Sequence, residues 1–229
     1  MTYTEFICNG LSELQTGQPI YTSDIAAMLA AEYGLPQKEA AAATAVAFKR
    51  IMDDEAIPNL RFYQKGIYYL TAVTPFGEVG IDKEHLIADK YLLPDTGYET
   101  GYTVLHRIGL TSQLPRERCI ATNKATDCAR MDHKLGVLVR PPKTTVNKAN
   151  KAYLQILDVL DLMDKAPVDA EQPYALLANY IHQAGIKYEI LLSLADRYYN
   201  KKTILQLAHT AGQGCVRQVK MLAKGPQKG

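Results

Sequence analysis

Cys119, Cys128 and His133 come closest, among the residues of this chain, to a metal-binding pattern. Thiolates and imidazoles are the usual ligands of zinc, and these three side chains lie close together in the sequence. Their spacings fit none of the standard zinc patterns, which place paired ligands only a few residues apart. We therefore interpret them as ordinary buried or surface residues, and we expect no metal and no cofactor.

A second group with chemical potential consists of Glu99, Asp127 and Asp132, followed by Lys134. A metal-dependent nuclease needs carboxylates of this kind to hold its metal ion. Their spacing is not a nuclease signature, and surface carboxylates are the simpler interpretation. The chain also contains no phosphate-binding glycine loop, no His-Glu zinc motif and no nucleophile elbow. We expect the protein not to be an enzyme.

Composition is typical of a folded protein in a reducing compartment. The chain has 229 residues, of which 47% are hydrophobic and 22% are charged. Its first residues lack the features of a signal peptide, and no apolar stretch has the length of a membrane span. The four cysteines are scattered rather than closely paired. We expect a cytoplasmic protein that does not interact with membranes.

Charge is distributed unevenly along the chain. Residues 1–80 carry 5 Lys/Arg against 9 Asp/Glu, and residues 81–200 carry 15 of each. Residues 201–229 carry 6 Lys/Arg and no acids, so the end of the chain is strongly basic. An acidic first part argues against strong non-specific binding to DNA, although a locally basic face can still form there.

The elements that would position any binding residues are clearest in the first part of the chain. The sequence predicts a helix over residues 3–14 and a second helix that Thr22 or Ser23 caps and Gly34 ends. An alanine-rich helix follows, with Pro36 near its first turn. The decapeptide "RFYQKGIYYL" then predicts a tight β-hairpin around Lys65-Gly66. This order of elements is that of a winged helix-turn-helix, a DNA-binding fold.

The alanine-rich helix is the candidate for insertion into the major groove of DNA, which is wide enough to admit a helix. On a helical wheel its apolar side chains fall on one side, and two lysines and two alanines fall on the other. Small side chains would let the backbone approach the bases closely. The alternative is that this helix only packs or dimerises. The residues that we expect to contact DNA are Ser23, Gln37, Lys38, Ala42, Ala45, Lys49, Arg61 and Lys65.

The second part of the chain has a different character, and the predicted boundary lies near Thr71 to Gly77. The expected fold class is α+β, with a winged helix-turn-helix domain over residues 1–73 and a mixed α/β domain over residues 74–229. The segments "RERCIATNKA" and "LGVLVRPP" predict strands, and residues from about 145 onward return to helix. A second basic patch, which could contact nucleic acid or an acidic partner, consists of Arg140, Lys143, Lys148 and Lys151.

Three segments carry a resemblance to a known family: "GIYYLTAVTPFG", "GYETGYTVLHRIGLTSQLPRERCIATNKA" and "VLVRPPKTTVNKANKAYLQILDVLD". They resemble the antitoxins of type IV toxin–antitoxin systems, the abortive-infection AbiEi-like proteins, including a branch labelled only as a domain of unknown function. The resemblance runs from about Gln18 to about Asp164. Its most specific part is Gly109 to Gln113 with Pro115, followed by a strand and the helix over residues 150–160.

The resemblance implies a winged helix that represses its own operon and a second domain that counters a nucleotidyltransferase-like toxin. The expected partners are double-stranded DNA with an inverted repeat in the protein's own promoter, and that toxin, opposed directly or indirectly. A homodimer would suit such a repeat, and the resemblance implies no catalytic residues. Two other classes of function remain open: a nuclease-like enzyme targeted by the winged helix, and a plain transcription factor whose second domain senses a ligand or dimerises.

Overall fold

The protein has a mixed α+β fold in which helices account for roughly half of the residues. The structure is a computed structural model that describes residues 1–223, with side chains through residue 213. Residues 224–229, which include part of the basic segment, lie outside the described residues. The chain divides into two compact units, Met1–Leu86 and a second unit that begins at Ile87.

The first unit contains three helices and five short strands. The helices are α1 (Tyr3–Ser12), α2 (Thr22–Tyr33) and α3 (Gln37–Asp53). The strands are β1 (Pro19–Tyr21), β2 (Leu60–Gln64), β3 (Ile67–Leu70), β4 (Val73–Thr74) and β5 (Gly77–Glu78). β1, β3 and β2 form an antiparallel sheet in that order, and β4 pairs with β5 separately.

The core of the first unit lies between the helices and the three-stranded sheet. Its buried members are Ile7, Leu11, Ile20, Ala47, Phe48, Ile51, Leu60 and Leu70. The apolar side predicted for α3 is confirmed. Ala40, Ala47, Phe48 and Ile51 are buried, and Ala43 is half-buried. Because α3 contributes its larger side chains to this core, its alanine-rich opposite side faces the solvent.

Both ends of α2 are formed by backbone conformation, and no side chain caps its first turn. Gly34 ends α2 in a left-handed conformation with φ of 65°, as predicted. The predicted capping of α2 by Thr22 or Ser23 is wrong, because Tyr21 occupies the cap position and makes no side-chain cap bond. The Ser23 hydroxyl donates to the Asp24 carboxylate instead, at 3.1 Å.

The tight hairpin between β2 and β3 is confirmed, and its turn is tied to the start of α2. Gly66 has φ of 80°, a left-handed conformation that a side chain disfavours. The backbone N–H of Thr22 donates to the Gly66 carbonyl at 3.0 Å. A Cβ built on Gly66 would lie 3.4 Å from the Thr22 hydroxyl oxygen. The backbone of the turn is therefore fixed both by its own conformation and by α2.

We expect Gly66→Ala to lower the free energy of unfolding of the first unit by about 1–2 kcal/mol, because a non-glycine residue at positive φ is strained. Gly10→Ala is the matched control, since Gly10 lies within α1 and a Cβ there would meet nothing within 4 Å. This control should gain about 0.5–1 kcal/mol from the higher helix propensity of alanine. Urea unfolding followed by circular dichroism measures both, and equal effects of the two substitutions would contradict the prediction.

The β4–β5 hairpin belongs to the first unit, although the change in sequence character suggests a boundary near Thr71 to Gly77. The Arg61 guanidinium on β2 pairs with the Glu78 carboxylate on β5 at 2.9 Å. The Thr71 hydroxyl donates to the Val79 carbonyl at 2.8 Å. These bonds join the segment to the sheet, and the first unit extends to Leu86, within α4 (Lys83–Ile87).

The second unit combines a four-stranded mixed sheet with five further helices and a π-helical turn. After α4 the turn covers Ala88–Leu92, and the strands are β6 (Gly97–Thr100), β7 (Arg118–Thr122), β8 (Arg130–Asp132) and β9 (Val137–Arg140). The helices are α5 (Tyr102–Ile108), α6 (Lys151–Met163), α7 (Pro173–Gln183), α8 (Tyr188–Tyr198) and α9 (Lys201–Ala223). The strand order is β6-β7-β9-β8, in which β7 and β9 are parallel and the other pairs are antiparallel.

Helix α6 is the centre of the second core. The predicted return to helix is confirmed here, and Leu154, Leu157, Val159 and Leu160 form an apolar stripe on α6 that is fully buried. The predicted strands at β7 and β9 are also confirmed, and α5 ends at Gly109. None of the helices within residues 1–223 combines the length and the apolar character needed to cross a membrane.

The segment Gly109 to Gln113, the most specific part of the family resemblance, has a structural role in this fold. The backbone N–H of Ser112 donates to the Asp169 carboxylate at 3.0 Å, and the Asp169 N–H donates to the Leu110 carbonyl at 3.2 Å. Leu110 and Thr111 are buried. These contacts join the end of α5 to the segment between α6 and α7.

Candidate functional site

The exposed face of α3 is the first candidate site, and it lies on the side predicted from the sequence. Lys38, Ala42, Ala45 and Lys49 are all exposed, and they follow one another at spacings of three or four residues. Gln37 is exposed at the start of the helix. The face therefore presents two cations at its ends and two methyl groups between them.

The structure brings two other predicted DNA-binding residues close together. Ser23 follows Thr22, and Lys65 precedes Gly66, so the hydrogen bond between Thr22 and Gly66 places them in one neighbourhood. Both residues are exposed. The start of α2 and the hairpin turn thus form one continuous surface.

Arg61 is the predicted DNA-binding residue that the structure places elsewhere. It lies at the base of the hairpin, opposite Tyr69, rather than at the turn. Its guanidinium donates to the Pro58 carbonyl at 2.8 Å and pairs with Glu78. Arg61 therefore holds β4–β5 against the sheet, and in this structure it does not lie beside Lys65.

Arg50 and Val46 flank the α3 face and were not singled out by the sequence. Together with Ala42 they line a groove of about 510 Å³ beside the first residues of α1. The side chain of Val46 is 51% exposed. Val46 lies four residues after Ala42 and Arg50 lies eight residues after it, and this helical spacing is the sequence signal that would have identified them.

A buried polar network is the most prominent feature of the second unit. The Asp158 carboxylate on α6 is only 2% exposed and pairs with the Arg140 guanidinium on β9. It also accepts hydrogen bonds from the hydroxyls of Tyr98 at 2.9 Å, Thr100 at 2.9 Å and Tyr199 at 2.8 Å. Four donors from three separate parts of the chain therefore converge on one carboxylate.

The environment of this network keeps its donors protonated. Burial, and then the Asp158 carboxylate, raise the pKa of Tyr98 and of Tyr199 far above the ordinary tyrosine value. Burial alone would lower the pKa of Arg140, but the Asp158 charge raises it. Burial also raises the pKa of the neighbouring Cys119 thiol. The network is thus one ion pair surrounded by neutral donors.

Two of the four residues of the second basic patch are paired with carboxylates. Arg140 is paired with Asp158, and Lys151 is paired with Asp95. Lys148 is exposed, and the Lys143 ammonium lies 5.9 Å from the centre of the Tyr199 ring. Only Arg140 and Lys143 of this set line a cleft of about 510 Å³ in the second unit, which we call the basic cleft.

The carboxylates considered for nuclease chemistry are engaged in separate places. Glu99 on β6 pairs with Arg107 and Arg118, and these cations lower its pKa despite its burial. Asp132 on β8 is partly buried, but hydrogen bonds from Lys90 and Tyr91 lower its pKa to about 2.

These two strands are the opposite edges of the four-stranded sheet, so three strand spacings, about 14 Å, separate them. Asp127 and Lys134 are exposed in the loops around β8. Within the described residues no three His, Cys, Asp or Glu side chains are grouped so that they could hold a metal ion.

Asp158 is not among the residues that the sequence motifs identify, although its position in the sequence is unusual. Its carboxylate lies directly between Leu157 and Val159, inside the apolar stripe of α6. A carboxylate in such a position must find partners, because burying an unpaired charge is very unfavourable. The identity of the partners could not be predicted, since Tyr98 and Tyr199 are distant in sequence.

Comparison of the chain with family models and with curated proteins finds no match.

Proposed function

We propose that this protein is a DNA-binding autorepressor and the antitoxin of a type IV toxin–antitoxin system. The first unit acts as a winged helix-turn-helix that binds an inverted repeat in the protein's own promoter. The second unit counters a nucleotidyltransferase-like toxin. No catalytic residue and no cofactor is part of this proposal.

The observation that carries the DNA-binding half is the arrangement of the first unit. Its elements follow the order α1-β1-α2-α3-β2-β3, with the strand order β1-β3-β2. A three-residue turn joins α2 to α3, as in helix-turn-helix proteins, where the second of these helices enters the major groove. Between Lys38 and Lys49 this face carries only the methyl groups of Ala42 and Ala45, which favours close approach to base edges.

The start of α2 and the hairpin turn support the same proposal. A helix N-terminus and a nearby lysine are both suited to contact phosphate oxygens. Ser23 and Lys65 therefore position the unit on the DNA backbone in this proposal, while Gln37, Ala42 and Ala45 face the bases. Arg61 stabilises the hairpin sheet in this proposal and does not contact DNA, because its guanidinium is already paired with Glu78.

The antitoxin half of the proposal is supported by the family resemblance alone. The second unit has its own core and its own sheet, so it can supply a surface separate from the DNA-binding one. Coexpression of the full chain with the nucleotidyltransferase of its own operon tests this half. Growth restored by the chain would support it, and toxicity unchanged by a well-expressed chain would contradict it.

We expect Lys49→Ala to weaken binding of the full chain to its own upstream DNA by a few-fold, because one cation of the α3 face is lost. The log–log dependence of affinity on salt should become shallower by about one unit, as expected for one lost phosphate contact. Fluorescence anisotropy over a salt series measures both quantities.

Lys187→Ala is the matched control for this experiment, since Lys187 is an exposed lysine of the second unit. It should leave the salt slope unchanged. The DNA-binding half is wrong if the full chain shows no preference for its upstream DNA over unrelated duplex at low salt.

A further inference from the structure

The basic cleft of the second unit is a concave surface that the proposed function does not use. Its volume of about 510 Å³ lies within the range of small-molecule sites, roughly 300–1,000 Å³. The side chains that matter here are Tyr102, Arg116, Glu117, Lys143, Asp161 and Lys165. They come from four separate parts of the chain, which the fold brings to one place.

Three of these side chains are cations without a carboxylate partner among the described residues. Arg116, Lys143 and Lys165 are all exposed and line the same cleft. This distinguishes them from Arg140 and Lys151, whose charges are paired. Three unpaired cations around one concavity favour a group with more than one negative charge, and phosphate is the common biological example.

The lining of the cleft also includes a cation that is already held in place. Arg140 keeps 26% of its side chain exposed while its guanidinium bonds to Asp158 and to the Thr100 hydroxyl at 3.2 Å. Because these bonds fix its orientation, little conformational entropy is lost when a ligand contacts it. The buried network therefore preorganises the cleft.

The remaining lining indicates that the ligand is more than an inorganic anion. The Tyr102 side chain is 40% exposed at the cleft, and an exposed aromatic ring can stack on a planar base. The Asp161 Oδ1 atom accepts from Asn200 and Thr203, which leaves Oδ2 able to accept from a ligand. Glu117 is an exposed carboxylate of the same lining. Carboxylates accept hydrogen bonds from amino groups and ring N–H groups, which purine bases provide.

We propose that the basic cleft binds a purine nucleoside monophosphate. The phosphate contacts Arg116, Lys143 and Lys165, and the base stacks on Tyr102. The donor groups of the base reach Glu117 or Asp161. This site shares no residue with the α3 face, so nucleotide binding can be tested separately from DNA binding.

Isothermal titration calorimetry of the full chain with guanosine 5′-monophosphate at low salt tests the proposal. We expect saturable binding of one nucleotide per chain, weakened at least tenfold by Arg116→Ala and by Lys143→Ala. Tyr102→Ala should weaken it by a similar factor through the lost stacking. Lys187→Ala is the matched control, because Lys187 is an exposed lysine of the second unit that does not line the cleft.

Ligand fragments separate the parts of the proposal. Inorganic phosphate and guanosine should each bind at least tenfold more weakly than the nucleotide. Phosphate as tight as the nucleotide would overturn the role of the base, and guanosine as tight would overturn the role of the cations. A short single-stranded RNA that binds the cleft residues more tightly than the nucleotide would overturn the proposal in favour of a nucleic-acid surface. The absence of nucleotide binding, or its loss in Ala42→Glu on the first unit, would overturn it as well.

Discussion

Replacing Asp158 with alanine is expected to destabilise the second unit by about 3 kcal/mol, the largest stability effect that we predict. The substitution leaves the Arg140 guanidinium without its counter-ion and three hydroxyl groups without their acceptor. Breaking a buried ion pair by removing one partner costs about 3–5 kcal/mol. We choose the lower end because Arg140 keeps 26% of its side chain in contact with solvent.

Amide hydrogen exchange measured by mass spectrometry is suited to this prediction, because it reports on each unit separately. Exchange should accelerate across β9 and α6, while peptides from α3 serve as an internal reference and remain unchanged. Asp196→Ala, at an exposed aspartate of α8, is the matched control and should have little effect.

The double variant Asp158→Ala with Arg140→Met identifies the cause of the loss. Removing the orphaned charge as well should recover part of the stability, since apolar replacement of a buried ion pair is often neutral. A double variant that loses the full sum of both single effects would show that packing, rather than the unpaired charge, is responsible.

Ala42→Glu is expected to weaken promoter binding at least about 100-fold, the largest functional effect that we predict. Ala42 lies at the centre of the exposed α3 face, between Lys38 and Lys49 along the helix. A carboxylate there would oppose the phosphate charges and would also pair with Lys38 one turn earlier. Placing like charges together in an interface costs several kcal/mol, and about 2.7 kcal/mol corresponds to a factor of 100.

The same variant tests the proposed division of roles, because it changes the first unit only. The full chain with Ala42→Glu should fail to repress its promoter and should still protect cells from the toxin. Ala31→Glu is the matched control, since it introduces the same charge at an exposed alanine of α2. It should repress normally, whereas normal repression by Ala42→Glu would remove α3 from the interface. Loss of protection together with repression would contradict two independent roles.

Local patterns in the sequence predicted the elements whose formation depends on neighbouring residues. The period of apolar residues in α3 and α6, the Gly34 helix end and the Lys65-Gly66 turn each involve contacts within a few residues. The winged helix itself remains a proposal, although the order of elements that suggested it is present. The predicted capping of α2 failed because the bond between Thr22 and Gly66 spans 44 residues, which no local pattern can reveal.

Neither the short strands β6 and β8 nor the site of the second unit could be predicted from the sequence. β6 and β8 have four and three residues, too few for an alternating pattern to be recognised. The pairing of Lys151 could not be predicted because its partner Asp95 lies 56 residues earlier in the chain. Arg116 and Lys165 lie in segments without a motif, and only the fold places them beside Lys143 in the basic cleft.

The wide sequence span of the Asp158 network has a consequence for the order of events during protein synthesis. Tyr98 lies 60 residues before Asp158 and Tyr199 lies 41 residues after it, whereas the first unit is complete by Leu86. At about 5–20 residues per second, the ribosome needs roughly ten seconds to pass from Leu86 to Tyr199. A nascent chain therefore carries a finished first unit while the second still lacks part of its core. In the proposed division of roles, each new molecule becomes able to bind DNA before it becomes able to oppose the toxin.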